Sequence, residues 1–257
     1  MKKTAFIFGL AALSTAPLMA VQGTIATEVD RKTGDIKWQP RSKTYLVTYK
    51  VKKSDVNSEY PLADVVDLQI PKPASFDKAV ELVEKGQGAS AIGILSKIVT
   101  EYRMLTWDKA AGRYLALAYL AANQAQKAMD TCTAIISEDK TAAYRGDLAF
   151  AYWQTLLKLG KTTQLEGVLK KAVASGDRAA SAAALVMRGD IILATQKESP
   201  DLYKQALRDA YLRVVLMYNQ PECAREQADA MLKAATCFDK IGQAARAEQL
   251  RTKAKSL

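Results

Sequence analysis

The spacing of apolar positions changes once along this chain. Between residues 21 and 70 they alternate with polar ones. Ile25, Thr27 and Val29 are separated by Ala26 and Glu28. Ile36 and Trp38 flank Lys37. Tyr45, Val47, Tyr49 and Val51 alternate with Leu46, Thr48 and Lys50, and Val66, Leu68 and Ile70 with Asp67 and Gln69. A period of two in β-branched and aromatic residues predicts strands. Four short strands are expected, with turn residues at Asp30–Asp35 and a polar loop over Ser54–Glu59. Such a stretch makes a small antiparallel β-module, curled like an SH3-like or Sm-like mini-barrel. It is too short to bury much core of its own.

Pro71-Lys72-Pro73 ends that pattern, because two prolines around one residue oppose both helix and sheet pairing. Beyond it the apolar period becomes helical. Ser75 is placed to cap a helix starting at Phe76, whose Phe76, Val80 and Val83 share one face. Further helices are predicted at about 89–102, 108–122, 124–137, 142–159, 162–175, 178–196, 201–218, 221–241 and 244–256. Alanine is frequent there while Gly and Pro are sparse, which favours helix.

The helices come in pairs. Gly86-Gln87-Gly88-Ala89-Ser90-Ala91 is echoed by Asn123-Gln124-Ala125-Gln126-Lys127-Ala128. Small or apolar residues at Ala91, Ala128, Leu165, Ala206 and Ala247 are separated by steps of 37, 37, 41 and 41 residues. The turns within pairs fall at Gly86, Asn123, Gly160 and Gly242, where the chain must leave one helix and start another. About five helix pairs follow, forming a mainly α solenoid.

Leu115-Ala116, Tyr119 and Ala128, and then Ala235, Phe238, Gly242 and Ala247, resemble the signature of the tetratricopeptide repeat (TPR) family. The resemblance covers residues 74–257. Small residues let two helices approach, and the aromatic ring fills the space beside them. The units are longer than the family's 34 residues. Trp153 and Leu165 stand where small residues are usual, and the 196–200 connection is extra. The resemblance implies a protein-binding scaffold whose first helices line a concave face. On that register Arg113, Asp147, Gln154, Arg188 and Asp190 are candidate partner-binding residues, with Trp107, Tyr144 and Arg145 at the rim. Trp107 and Trp153 have packing between repeats as the competing role.

Residues 1–20 read as a signal peptide: Lys2 and Lys3, an apolar run from Ala5 to Leu13, then small residues up to Ala20. Cleavage after Ala20 is expected, leaving a β-module at 21–70, a linker at 71–73 and the repeats at 74–257. No transmembrane segment is expected in the mature chain. An exported TPR protein of the bacterial envelope, periplasmic or envelope-associated, is the implied class, with an envelope protein or peptide as partner.

Charge opens a second reading. The chain carries net +10, and loss of Lys2 and Lys3 leaves +8. That suits an acidic glycan or another polyanion. The basic residues are interspersed with acids, and no basic-aromatic motif points to nucleic acid. Enzymatic groupings are thin. The chain has no His, so zinc sites and nucleophile–His schemes lose their usual partner. Asp64 and Asp67 are expected on opposite faces of a strand, and Gly86-Gln87-Gly88 lacks the context of a phosphate loop. No catalytic, cofactor-binding or metal-binding residue is assigned. Cys132, Cys223 and Cys237 are expected as small core residues.

Overall fold

The computed structural model describes residues 20–195 and 197–257. The expected signal peptide, apart from Ala20, lies outside the described residues. The chain divides between Ile70 and Pro71 into two compact units.

The first unit is a five-stranded antiparallel sheet: β1 (Val21–Thr27), β2 (Arg31–Gln39), β3 (Thr44–Val51), β4 (Ser54–Pro61) and β5 (Val65–Gln69), in the order β4-β3-β2-β1-β5. A 3-10 turn, Leu62–Asp64, joins β4 to β5. The last strand therefore returns to pair with the first, and β4 and β5 are the edges. Ile25, Ile36, Trp38, Tyr45, Val47 and Tyr60 fill the buried face. Trp38 pairs across the ladder with Tyr45, their ring centroids 4.9 Å apart. Gly23 and Gly34 face each other in β1 and β2. A Cβ on Gly34 would lie 2.3 Å from the Thr48 carbonyl oxygen, so the strands approach here more closely than a side chain allows.

The strand count corrects an expectation. Ser54–Glu59 is not a loop but most of β4. Val51 pairs with Ser54 around a two-residue turn at Lys52, whose φ is 58°. Val56, Ser58 and Tyr60 then pair with Tyr49, Val47 and Tyr45. The segment is polar because it is an edge strand, where Ser, Asp and Glu meet solvent and discourage further pairing.

The second unit is a TPR-like solenoid. Its helices are α1 (Phe76–Glu84), α2 (Gly88–Glu101), α3 (Trp107–Ala121), α4 (Ala125–Glu138), α5 (Asp147–Lys158), α6 (Thr162–Ala174), α7 (Arg178–Thr195), α8 (Pro200–Ala206), α9 (Leu212–Met217), α10 (Ala224–Lys240) and α11 (Ala244–Ala254). The pairs are α1–α2, α3–α4, α5–α6, α7 with α8–α9, and α10–α11. First helices also touch in sequence: α1 with α3, α3 with α5, α5 with α7, and α7 with α10. That stacking gives the solenoid an inner face.

Four of the pairs turn identically. Gly86, Asn123, Gly160 and Gly242 have φ of 75°, 56°, 66° and 76°. At the first, Gly86 N–H donates to Val83 C=O and Gln87 N–H to Leu82 C=O; the same two bonds recur at the other three. This is the Schellman cap, which satisfies the carbonyls the helix end leaves open. Behind each turn, Ala91, Ala128, Leu165 and Ala247 are fully buried.

Three helices differ from expectation. The segment expected to open a helix at 142 forms a 3-10 turn, Lys140–Ala143, and α5 begins only after Gly146, whose φ is 73°. Trp153 donates its Nε1–H to Ala143 C=O (2.8 Å) and pins that turn to α5. The predicted 201–218 helix is interrupted by a π-helical stretch, Leu207–Tyr211. The predicted 221–241 helix starts as a 3-10 turn, Pro221–Cys223. Among the described residues no helix is long and apolar enough to cross a membrane.

Candidate functional site

The inner face carries a cavity of about 480 Å³ where the N-terminal ends of α5 and α7 meet α10. Its position follows from how these helices begin. Gly146 reverses the chain with positive φ, so Tyr144 and Arg145 stand ahead of α5, and Asp147 and Phe150 on its first turn. Asp177 caps α7: its Oδ1 accepts from Ala180 N–H at 2.9 Å. The same carboxylate meets Arg145 Nε at 3.4 Å. One residue thus starts α7 and holds the preceding linker. Ala180 and Ala183 are small, which leaves space where larger side chains would close the gap.

The lining is mixed. Tyr144, Phe150 and Trp153 supply aromatic surface, Asp147, Asp177, Glu226 and Asp229 carboxylates, and Arg145 and Arg225 the cations. Burial pushes the Glu226 carboxyl above the usual carboxylate range, and the charge of Arg113 partly opposes this. Along α10, Asp229 pairs with Lys233 at 3.2 Å. Lys233 Nζ also lies 5.6 Å from the Phe150 ring centroid and donates to Asp190 Oδ2 at 2.6 Å. Asp190 Oδ1 accepts from Tyr211 O–H at 2.8 Å. Burial raises the Asp190 carboxyl, and Lys233 and Tyr211 offset part of that rise. A polar chain therefore runs from Phe150 and Lys233 through Asp190 into the core at Tyr211, which is only 1% exposed.

Of the candidate partner-binding residues, the fold brings Tyr144, Arg145 and Asp147 to this cavity. Asp190 joins it through Lys233. Arg113 on α3 lies with its guanidinium carbon 5.3 Å from the Tyr114 ring centroid, and its charge reaches Glu226. Gln154 and Arg188 are half-buried on α5 and α7 but do not line it. Trp107 sits elsewhere, 5.4 Å from Phe76 between ring centroids, within the apolar cluster of α1, α2 and α3. There the first turn of α3 packs Trp107, half-buried, against Phe76 of α1. Phe150, Asp177, Glu226 and Asp229 were not singled out from sequence. The signals that find them are the Gly176-Asp177 helix start and the Glu226, Asp229, Lys233 spacing along one face of α10.

The other groups weighed for chemistry fall apart in space. Asp64 is in the 3-10 turn, not on a strand, while Asp67 in β5 pairs with Arg31 at 3.3 Å. All three cysteines are buried and free. Burial pushes the Cys132 thiol up to about 12 and that of Cys237 up to about 11, so both stay protonated and unreactive near neutrality. Among the described residues no group of three or more Cys, Asp or Glu is placed to hold a metal ion.

No protein-family model matches the sequence, and no curated protein matches it. Two solved structures are similar in fold, both of Podosopora anserina: nearly identical TPR-like repeats described under a kinesin light chain, and a single-substitution form of the same protein. Each is 15% identical, over 71% of this chain and 92% of the other, with TM-scores of 0.41 and 0.42. The TPR-like architecture here is read from the helix pairs and their turns.

Proposed function

We propose that this protein is a non-catalytic, exported scaffold of the bacterial cell envelope, and that the α5–α7–α10 cavity holds a peptide segment of another envelope protein. The observation that carries this reading is the cavity itself. Stacked first helices make a surface for a partner, and here that surface is recessed, part aromatic and part charged. Arg145 and Asp147 at its mouth can orient a backbone or a charged side chain, while Phe150 and Tyr144 cover an apolar one. An acidic glycan suits this site less well, since four carboxylates line it against two arginines. Export rests on the pattern of residues 1–20.

The test is site-specific photocrosslinking in envelope preparations. A photoreactive residue at Tyr144 should capture one discrete protein, and Phe150→Glu should abolish that product. Equal capture from Glu248 on the outside of α11 would show that the cavity is not the binding site. N-terminal sequencing of the envelope-fraction protein should begin at Val21; an intact Met1 there would remove the export claim.

A further inference from the structure

A second recess, about 400 Å³, opens where α8, the π stretch and α9 meet α10 and the turn into α11. Its floor is apolar: Leu207, Leu212, Leu216, Phe238 and Ile241. Its rim is basic. Lys204, Arg208 and Arg213 come from one wall and Arg246 from the other, with no carboxylate in the lining. Leu216 and Met217 are 77% and 59% exposed, unusual for large apolar side chains at the end of a helix whose Val214 is fully buried. The π stretch explains this. Its wider turn shifts the helical register, so that Tyr211 faces inward to Asp190 while Leu212 and Leu216, one turn apart, face the recess.

Among the described residues, two of the cations have no carboxylate partner and two have exposed ones. Lys204 pairs with Asp201 at 3.0 Å, and Arg208 makes a two-point contact with Asp209, each within its own helical stretch. Among the described residues no carboxylate lies within ion-pair distance of Arg213 or Arg246, although Asp209 feels the Arg213 charge. Arg246 is held over the Phe238 ring at 5.8 Å and donates to Gln243 Oε1 at 2.9 Å, so its position is set before any partner arrives.

We propose that this recess is a docking groove for an acidic amphipathic helix of a protein partner. The charge complementarity demands an anionic occupant. The apolar floor demands one with a hydrophobic face, which an acidic polysaccharide lacks. Walls on both sides suit a rod laid between helices better than a flat bilayer surface, which would leave the floor uncovered. The proposal stands apart from the cavity at α5–α7–α10, with which it shares no lining residue.

The probe is a synthetic amphipathic peptide of about five helical turns, with Leu along one face and Glu on the other. Binding to the mature chain is followed by fluorescence anisotropy. Its counterparts are the same peptide with Lys for Glu, vesicles of equimolar phosphatidylglycerol and phosphatidylcholine, and alginate. The acidic helix should bind and weaken as salt rises, and the Lys peptide should not. Leu216→Asp and Arg213→Glu, both at exposed positions, should each weaken it by roughly tenfold or more, while Phe150→Glu leaves it unchanged. Should Leu216→Asp misfold, Arg213→Glu alone decides. Equal binding of the two peptides, no effect of Arg213→Glu, no binding of the acidic helix, or binding to vesicles or alginate in its place overturns the proposal.

Discussion

The first three helix pairs and the fourth solve the same problem differently. In α1–α2, α3–α4 and α5–α6 the turn is a left-handed residue with two fixed hydrogen bonds, and the units advance by 37 residues. In the fourth pair Ser199 caps α8 by accepting from Leu202 N–H at 3.2 Å, Pro200 follows, and the second helix carries a π stretch. Instead of small residues alone, the pair is joined by Gly189 beneath the Tyr211 ring and by the Asp190–Tyr211 hydrogen bond. Backbone turns make the regular units, whereas side-chain contacts specific to one place make the fourth. Departure from local regularity is where function is expected. Here the polar chain from the cavity and the basic groove both end on this pair.

The sharpest way to break that comparison is one added methyl. A Cβ at Gly189 would lie 2.4 Å from a ring atom of Tyr211, which is 1% exposed and cannot yield. Gly189→Ala should cost about 3 kcal/mol by overpacking. At Gly112, in the regular region, the nearest atom is Ile135 Cδ1 at 2.2 Å, the movable tip of a side chain. There the helix-propensity gain of Ala offsets the shift, and the change should stay within about 1 kcal/mol. Urea unfolding of the two variants checks both values; equal losses would mean the fourth pair is no more tightly specified than the second.

The turns, the helix pairs and their buried small residues were legible in the sequence because each depends on residues close together in the chain. Gly86, Gly160 and Gly242 announce themselves, and Ala91, Ala128 and Ala247 repeat at a readable step. What was not legible depends on distant partners. The β4 edge strand looks like a loop until Tyr60 is seen buried against β3, its phenol held up to about 12 by burial and by the Asp30 carboxylate. The π stretch has no compositional mark, since Leu207–Tyr211 is ordinary helix-forming sequence, and its Tyr211–Asp190 hydrogen bond joins residues 21 apart in the chain. Trp107 had rim and packing as its two readings, and its contact with Phe76 depends on how α3 lies against α1. Three of the cavity's four carboxylates, Asp177, Glu226 and Asp229, are brought to Asp147 only by the stacking of α5, α7 and α10.

A next-largest effect is expected at Lys233. Its side chain is 28% exposed and that of Asp190 20%, so the pair is screened less than a surface one. Lys233→Met leaves Asp190 with Tyr211 alone, which should cost about 2 kcal/mol at neutral pH, below the figure for a fully buried pair. The pH dependence carries a sign. Burial already raises the Asp190 carboxyl, and loss of the ammonium raises it further. A group raised in the folded state favours folding at low pH and loses that contribution as pH climbs through its folded value. The deficit of Lys233→Met should therefore be full at neutrality and shrink toward zero below the ordinary carboxylate range. A deficit constant from neutral to acid pH would show that Lys233 acts by packing on Phe150 and not by charge.

The smallest expected effect tests the regular side of the comparison. Asn123 holds φ of 56° where the three equivalent turns have Gly. Asn tolerates the left-handed region better than other residues with a Cβ, but less well than Gly. Asn123→Ala should cost about 1 kcal/mol, because Ala keeps the steric penalty and cannot offset it locally. Asn123→Gly should be neutral or slightly stabilising, since relief of strain is opposed by the greater freedom of Gly in the unfolded chain. The two hydrogen bonds of the turn, from Asn123 N–H to Leu120 C=O and from Gln124 N–H to Tyr119 C=O, use only backbone and survive both changes. If the two substitutions give the same melting temperature, the turn is not governed by backbone conformation. The shared geometry of the four turns would then follow from the packing of Ala128 and its equivalents, making the regular pairs as dependent on side-chain contacts as the fourth.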